Sequence, residues 1–373
     1  MDSRRTNSLS IRRPSPPTKA SSVSMPLTCR PLDDAGEQAW DEFVAAHPDG
    51  TFFHRAAWRR VVERAFGHRT HYLLAERDGV LTGVLPLGHV RSALFGSALI
   101  SVPFCVYGGP LAADRESFAA LAAAAEALMA PARAGALEFR FLAPPPQDWL
   151  DPAEWKTRSD LYVTFRKSIS ADDETNLKAI PRKQRAMVRK GIESGLTSTV
   201  DSNVDLQHRI YAESVRNLGT PVFSRRYFRV LAEVFRDCMD VVTIREGATP
   251  VASVMNFYWR DEVLPYYGGG TAAARGCHGN DFMYWEVMRR AAARGCGLFD
   301  FGRSKTGTGA FAFKKNWGFS PAPLRYRFRL APGAVIPDHN PLNPKYRLFI
   351  AAWKKLPLAV ANVLGPPIVR GLG

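Results

Sequence analysis

Glu262-Val263-Leu264-Pro265-Tyr266-Tyr267-Gly268-Gly269-Gly270 reads as an apolar strand that runs out into glycines. What surrounds it sets the fold. Upstream, Val241–Glu246 and Val251–Trp259 alternate as two strands around the turn Gly247-Ala248, and Asp205–Asn217 and Arg225–Cys238 carry helical periodicity. Downstream come a helix over Asn280–Arg294 and a strand over Leu298–Phe301. The order is two helices, a hairpin, a glycine-ended strand, a helix and a strand.

The same order occurs earlier. Asp34–Ala46 and His54–Ala65 read as helices, and His71–Ala75 and Val80–Val90 as strands around Arg77-Asp78-Gly79. Leu99–Val106 reads as a strand ending in Tyr107-Gly108-Gly109-Pro110, Ser117–Met129 as an alanine-rich helix and Ala136–Leu142 as a strand. The match of Tyr107-Gly108-Gly109 to Tyr267-Gly268-Gly269 predicts a duplicated α/β unit of about 150 residues. Pro144-Pro145-Pro146 breaks the chain between the copies. The expected organisation is a basic, disordered extension over 1–26, a first domain over 27–150, a second over 151–335 and a basic amphipathic tail over 336–373. Met25, just before the first apolar-periodic segment, is an alternative start. Within the second domain, Leu161–Lys167 reads as a strand. Pro181–Lys190 reads as a short basic helix, with Pro at its first position and Gly191 past its end. Leu324–Leu330 is a further strand.

Composition narrows the function. The chain has 373 residues, 46% hydrophobic and 23% charged, enough for two packed domains. No run of apolar residues is long enough for a membrane-spanning helix, and no apolar segment follows the basic start as in a secretory signal. Five cysteines without CxxC spacing fit reduced thiols and a cytoplasmic location. The net charge of +15 is uneven. Residues 1–30 hold six Lys/Arg and one acid, residues 321–373 hold eight and one, and the rest holds 36 bases against 33 acids. A near-neutral body argues against DNA binding, whereas basic ends suit an anionic surface such as the inner face of a membrane.

Three constellations could carry chemistry. The first is Phe299-Asp300-Phe301-Gly302-Arg303-Ser304-Lys305-Thr306-Gly307-Thr308-Gly309, continued by Phe311, Phe313, Lys314, Lys315, Asn316, Trp317, Gly318 and Phe319. A strand running into a glycine loop with four cations suggests an anion cradle, although the P-loop spacing is absent. The second is Tyr267-Gly268-Gly269, where glycines leave room for a ligand against the backbone, with Asn280 and Asp281 opening the next helix. The third is the basic helix, whose Arg182 and Arg185 share a face with Arg189 and suit phosphate contacts. A surface turn, a plain glycine turn and a solvated charged face are the respective alternatives. No HExxH, GxSxG or metal-ligand spacing occurs, so no metal and no bound cofactor are expected.

The 299–319 segment, with YYGGG (266–270) and NDFMYWEVMRRAAARG (280–295), resembles the FemAB-like proteins that accompany PEP-CTERM/exosortase sorting systems, within the wider GNAT-like superfamily. The resemblance covers about residues 27–373. It implies an α/β (α+β) protein of tandem GNAT-like domains, mixed central sheets flanked by helices, with the active cleft mainly in the second. It also implies N- or O-acyl transfer, aminoacyl or acyl, to an amine or hydroxyl of a cell-envelope or exopolysaccharide precursor, a small-molecule or lipid-linked glycan or peptide. The donor is acyl-CoA or aminoacyl-tRNA; tRNA would enter only as donor, and no long heptad insertion marks a tRNA-associated arm. On this reading Lys305, Arg303 and Tyr267 are catalytic. Gly268, Gly269, Asn280, Asp281, Lys314, Lys315, Arg182 and Arg185 bind substrate or donor. A second expectation is a non-catalytic GNAT-like module that recruits polysaccharide or sorting partners at the membrane.

Overall fold

The computed structural model describes residues 26–93, 95–337 and 346–373; the expected 1–26 extension falls almost wholly outside them. The first unit runs β1 (Thr28–Pro31), α1 (Glu37–Ala46), α2 (Trp58–Phe66), β2 (Arg69–Arg77), β3 (Val80–Ser92), β4 (Gly96–Ser101), β5 (Leu111–Ala112), α3 (Arg115–Ala127), α4 (Met129–Ala132) and β6 (Ala136–Arg140). Then follow β7 (Trp155–Arg158), β8 (Tyr162–Ser168), α5 (Asp173–Ala179) and α6 (Arg182–Glu193). The second unit runs β9 (Thr197–Asp201), α7 (Val204–Leu218), α8 (Arg225–Val234), β10 (Met239–Glu246), β11 (Thr249–Trp259), β12 (Glu262–Pro265), β13 (Gly269–Gly270), α9 (Gly279–Ala293) and β14 (Leu298–Lys305). The chain closes with α10 (Gly309–Asn316), β15 (Pro321–Pro323), β16 (Tyr326–Leu330), α11 (Arg347–Lys355) and α12 (Leu358–Arg370).

The duplication is visible strand by strand. In the first sheet β1, β2, β3, β4 and β6 lie side by side and β5 returns to β3; in the second, β9, β10, β11, β12 and β14 do the same and β13 returns to β11. Each sheet holds one parallel pair among antiparallel ones: β4 with β6, and β12 with β14. The fold is therefore mixed α/β, with two mixed sheets of the same strand order flanked by helices. Each hairpin turn uses φ > 0 where the sequence offers it, as at Asp78 and Gly79 (φ 54° and 74°).

The domain boundaries differ from the expected 150/151 break. β7 and β16 both join the first sheet, with β16 between β6 and β7, whereas β8 and β15 join the second. The reason is side-chain parity. Tyr326 and Phe328 alternate inward on β16 and pair with Arg140 and Glu138 of β6, burying both rings. The two units also share a core, in which Phe52, Phe53, Trp58 and Tyr107 pack with Tyr227, Phe228, Phe257 and Tyr267.

Local corrections have local causes. The expected strand Leu99–Val106 stops at Ser101, because Pro103 packs on Gly88 and Phe104 turns to φ 69°. Gly191 lies inside α6, not beyond it. A Cβ there would stand 2.9 Å from Phe282 Cβ, so the glycine lets α6 close on α9. The tail residues 346–373 are not free: Trp353, Ala361 and Val369 are buried, and α11 and α12 both pack on α7. Among the described residues no helix is long and apolar enough to cross a membrane.

Candidate functional site

β12 and β14 run parallel for only two residue pairs, Glu262 with Leu298 and Val263 with Phe299, and then separate. Strands that part leave ladder donors and acceptors needing other partners. In the first unit the comparable gap is closed: Gly108 and Gly109 both donate to Arg140 O, at 2.9 and 2.8 Å. In the second unit, among the described residues, Tyr267 N and Gly268 N have no such acceptor. The second unit is the one with backbone donors to spare.

On β14 the separation coincides with a bulge between Asp300 and Arg303. The bulge keeps Asp300 and Arg303 on one face with Thr164 and Arg166 of β8, turned toward the first unit. Here the sequence-predicted Arg303 and Lys305 do converge. The Arg303 guanidinium lies 4.4 Å from the Tyr162 ring centroid and donates to Tyr326 Oη at 3.2 Å; Lys305 Nζ is 5.7 Å from the same Tyr162 ring. Burial pulls the Arg303 pKa down, but Tyr326, Tyr162 and Tyr266 outweigh it and the group stays charged. Tyr326 passes its own proton to Val106 O at 2.7 Å, tying the first unit to the cluster, and Tyr107 Oη bonds Thr164 Oγ1.

Two members of this site are not among the residues picked from sequence. Asp300 is 1% exposed. It accepts from Gly302 N at 2.6 Å and faces Arg166 Nε at 3.2 Å, and Arg166 also pairs with Glu262. Burial pushes the Asp300 carboxyl up to about 6, with Arg166 pulling against it. Tyr266 packs on Gly302, and its hydroxyl is buried without a hydrogen-bond partner among the described residues. A buried hydroxyl without a partner beside the bulge marks a place for a polar ligand or water. The signal for Asp300 was its carboxylate inside an aromatic strand; for Tyr266 there was none, since its parity against Tyr267 depends on register.

Other expectations dissolve into packing. The Tyr267 hydroxyl bonds Tyr227 Oη at 2.5 Å inside the shared aromatic core, and burial raises its pKa well above the usual phenol range. It is therefore no base. Gly268 and Gly269 do not leave space: a Cβ would meet Tyr284 Oη at 2.5 Å and Ser214 Cβ at 2.7 Å. Lys314 does not face an anion. Its Nζ donates to the carbonyls of Phe301, Gly302 and Arg303 at 2.6, 3.1 and 3.1 Å, fastening the bulge from the opposite face. Burial lowers its pKa to about 7, and Asp300 opposes that shift. The presumed loop after Lys305 is largely α10, capped by Thr308, whose hydroxyl accepts from Phe311 N at 3.4 Å.

Asn280 and Asp281 sit across the sheet, at the start of α9. Asp281 Oδ1 accepts from Gln184 of α6 and from Trp317 Nε1 at 3.2 Å, and burial raises its pKa. Asn280 Oδ1 fills the space beside Gly270. Lys315 is exposed. Arg182 and Arg185 line an open groove along α6 with Arg189 and Lys190. Tyr267, Asn280 and Lys305 thus do not share one cleft. Among the described residues no group of three or more His, Cys, Asp or Glu is placed to hold a metal ion.

Residues 178–315 match the family model described as Acetyltransferase (GNAT) domain. The match runs from the end of α5 into α10 and so spans the second unit. Solved structures agree on the fold. FemX superposes with a TM-score of 0.66 at 14% identity, covering 87% of this chain and 100% of that one. A tandem GNAT protein from the clavulanic acid biosynthesis pathway gives 0.52 at 14% identity, covering 83% and 100%. The C-terminal domain (DUF2156) of a protein assigned as a lysylphosphatidylglycerol synthetase from Agrobacterium fabrum gives 0.52 at 15%, covering 80% and 93%. No curated protein matches the sequence. The matched residues span the parted β12–β14 pair; at these identities the structural matches speak for the fold alone.

Proposed function

We propose that the chain is a cytoplasmic acyltransferase that moves an acyl or aminoacyl group from acyl-CoA or aminoacyl-tRNA to an amine or hydroxyl of a cell-envelope or exopolysaccharide precursor. The observation that carries it is the parting of β12 and β14 beside the Asp300–Arg303 bulge, with Tyr267 N and Gly268 N unsatisfied, inside a GNAT domain. An extended donor bearing amides would take up those groups as a strand does. The acceptor nitrogen or oxygen bonds to the acyl carbon, the bond to the donor's sulfur or oxygen breaks, and the acceptor proton leaves to a base. Arg303, Lys305 and the Tyr266 hydroxyl stabilise the oxyanion. Asp300, raised toward neutrality, takes the proton. Arg182, Arg185 and Lys315 hold phosphates of the donor or acceptor. The link to PEP-CTERM/exosortase systems belongs to the same reading.

The packing of Tyr267 and the glycines favours a second reading, a non-catalytic module with the same fold. Incubation with radiolabelled acyl-CoA species and aminoacyl-tRNA, with and without amine and hydroxyl acceptors, separates the two. Transfer that is lost in Arg303→Gln and Asp300→Asn, and whose kcat falls below about pH 6, supports the enzyme. No turnover of any donor supports the module.

A further inference from the structure

α12 is apolar apart from Asn362 and the terminal Arg370. Its buried stripe, Ala361, Gly365 and Val369, packs inward, and Gly365 touches the backbone of Val222 where a Cβ would stand 2.8 Å from Val222 N. Its outer stripe is Val360, Val363, Leu364 and Pro367, spaced i, i+3, i+4 and i+7, and all four are exposed. A helix with a second apolar stripe on its solvent side is not explained by packing within the chain. α11 repeats the pattern. Trp353 is buried, whereas Leu348 is 85% exposed and Phe349 is 42% exposed. Leu218, 61% exposed at the end of α7, adjoins it, because the next residue, Gly219, lies against Ile350 and Lys354. Both helices pack on α7, and these apolar side chains are the ones left exposed.

The charge on these helices has one sign. Residues 346–373 contain Arg347, Lys354, Lys355 and Arg370 and no Asp or Glu. Arg370 is engaged with Phe66 O at 2.6 Å, which leaves Arg347, Lys354 and Lys355 exposed around the apolar residues. Apolar side chains flanked by cations, with no carboxylate, complement a surface that is negative at its boundary and apolar beneath. We propose that the outer faces of α11 and α12 dock the protein on an anionic lipid bilayer. This surface lies outside the β12–β14 site, so its test reads independently of acyl transfer. Each basic residue near such a leaflet strengthens binding about fivefold, and the partition of exposed Leu, Val and Phe adds to it.

The test is flotation of the full chain with phosphatidylcholine vesicles, with and without phosphatidylglycerol. Binding to the phosphatidylglycerol vesicles is expected, and weakens with salt. Leu348→Glu with Val363→Glu lowers it at least about tenfold, and Lys354→Glu with Lys355→Glu does so only on anionic vesicles. All four side chains are exposed, so unchanged circular dichroism and melting temperature control for folding. No binding by the unaltered chain overturns the proposal. So does binding that ignores Leu348→Glu/Val363→Glu but disappears when residues 1–25 are removed, or a dimer in solution that Leu348→Glu dissociates, which would make a second copy the occupant.

Discussion

Replacing Gly268 with Ala separates two accounts of the glycine-ended strand. A ligand-room account makes the change costly only to binding. The packing makes it costly to folding: the new methyl would sit 2.5 Å from Tyr284 Oη, 3.2 Å from Cζ and 3.3 Å from Met283 Cε. All three are inside the ~3.5 Å at which nonbonded heavy atoms settle. Tyr284 is pinned on α9 among Phe301, Phe313 and Trp317, so the hydroxyl cannot swing clear without disturbing that cluster. Overpacking of this kind costs about 1–3 kcal/mol. Tyr284→Phe removes the nearest atom and leaves contacts a few tenths of an ångström short of comfortable. In Gly268→Ala/Tyr284→Phe about 1 kcal/mol or more of the loss should therefore return, as a coupling outside the ~0.5 kcal/mol scatter of independent sites. Urea unfolding of the four proteins, with a common slope, measures this. Additive effects, or Gly268→Ala as stable as the parent but with a raised KM for the donor, would refute the packing argument.

Lys314→Met should destabilise the protein by about 2 kcal/mol or more, because three carbonyls of the bulge lose their shared donor, whereas Lys315→Met next to it should change stability by less than about 0.5 kcal/mol; chemical denaturation compares them. Arg303→Lys should keep the fold by circular dichroism yet lower kcat/KM at least about tenfold, since an ammonium cannot both stack on Tyr162 and reach Tyr326. His54 is 3% exposed, bonds Gly109 O at 2.9 Å, and burial lowers its pKa to about 4. The folded state thus binds its proton less readily than the unfolded chain. Stability attributable to His54 is complete above about pH 6.5 and falls by about 3 kcal/mol as pH drops to about 4. His54→Gln should flatten that part of the pH dependence of the unfolding midpoint.

Much of the fold was legible because its signals are local. Tyr107-Gly108-Gly109 and Tyr267-Gly268-Gly269 fall in corresponding passages, from β4 to β5 and from β12 to β13, and the helices and hairpins around them carry their own periodicity. Register was not legible. Whether Tyr266 or Tyr267 faces the site is a matter of one residue of parity, and only the separation of β12 from β14 decides it. Within the 299–319 segment, Arg303 and Lys305 do meet, over the ring of Tyr162. The role of Lys314 was hidden because its acceptors are backbone carbonyls displaced by the Asp300–Arg303 bulge, a feature no residue type announces. α10 was masked by Gly307 and Gly309, which read as breakers yet frame a capped helix. The membership of β16 depends on a partner, β6, far away in sequence.

That last pairing has a consequence for biosynthesis. The first sheet takes its strand beside β6 from residues 326–330, so the growing chain must carry an unfinished edge through the synthesis of the whole second unit. Tyr326 then locks both ends of the molecule at once, through Val106 in one unit and Arg303 in the other. The units are accordingly not beads that can be cut apart and studied singly. A ribosome-stalled chain ending before Tyr326 should expose that edge to chaperones or to a second copy, and Arg303 should find its place only when the last strand joins the first sheet.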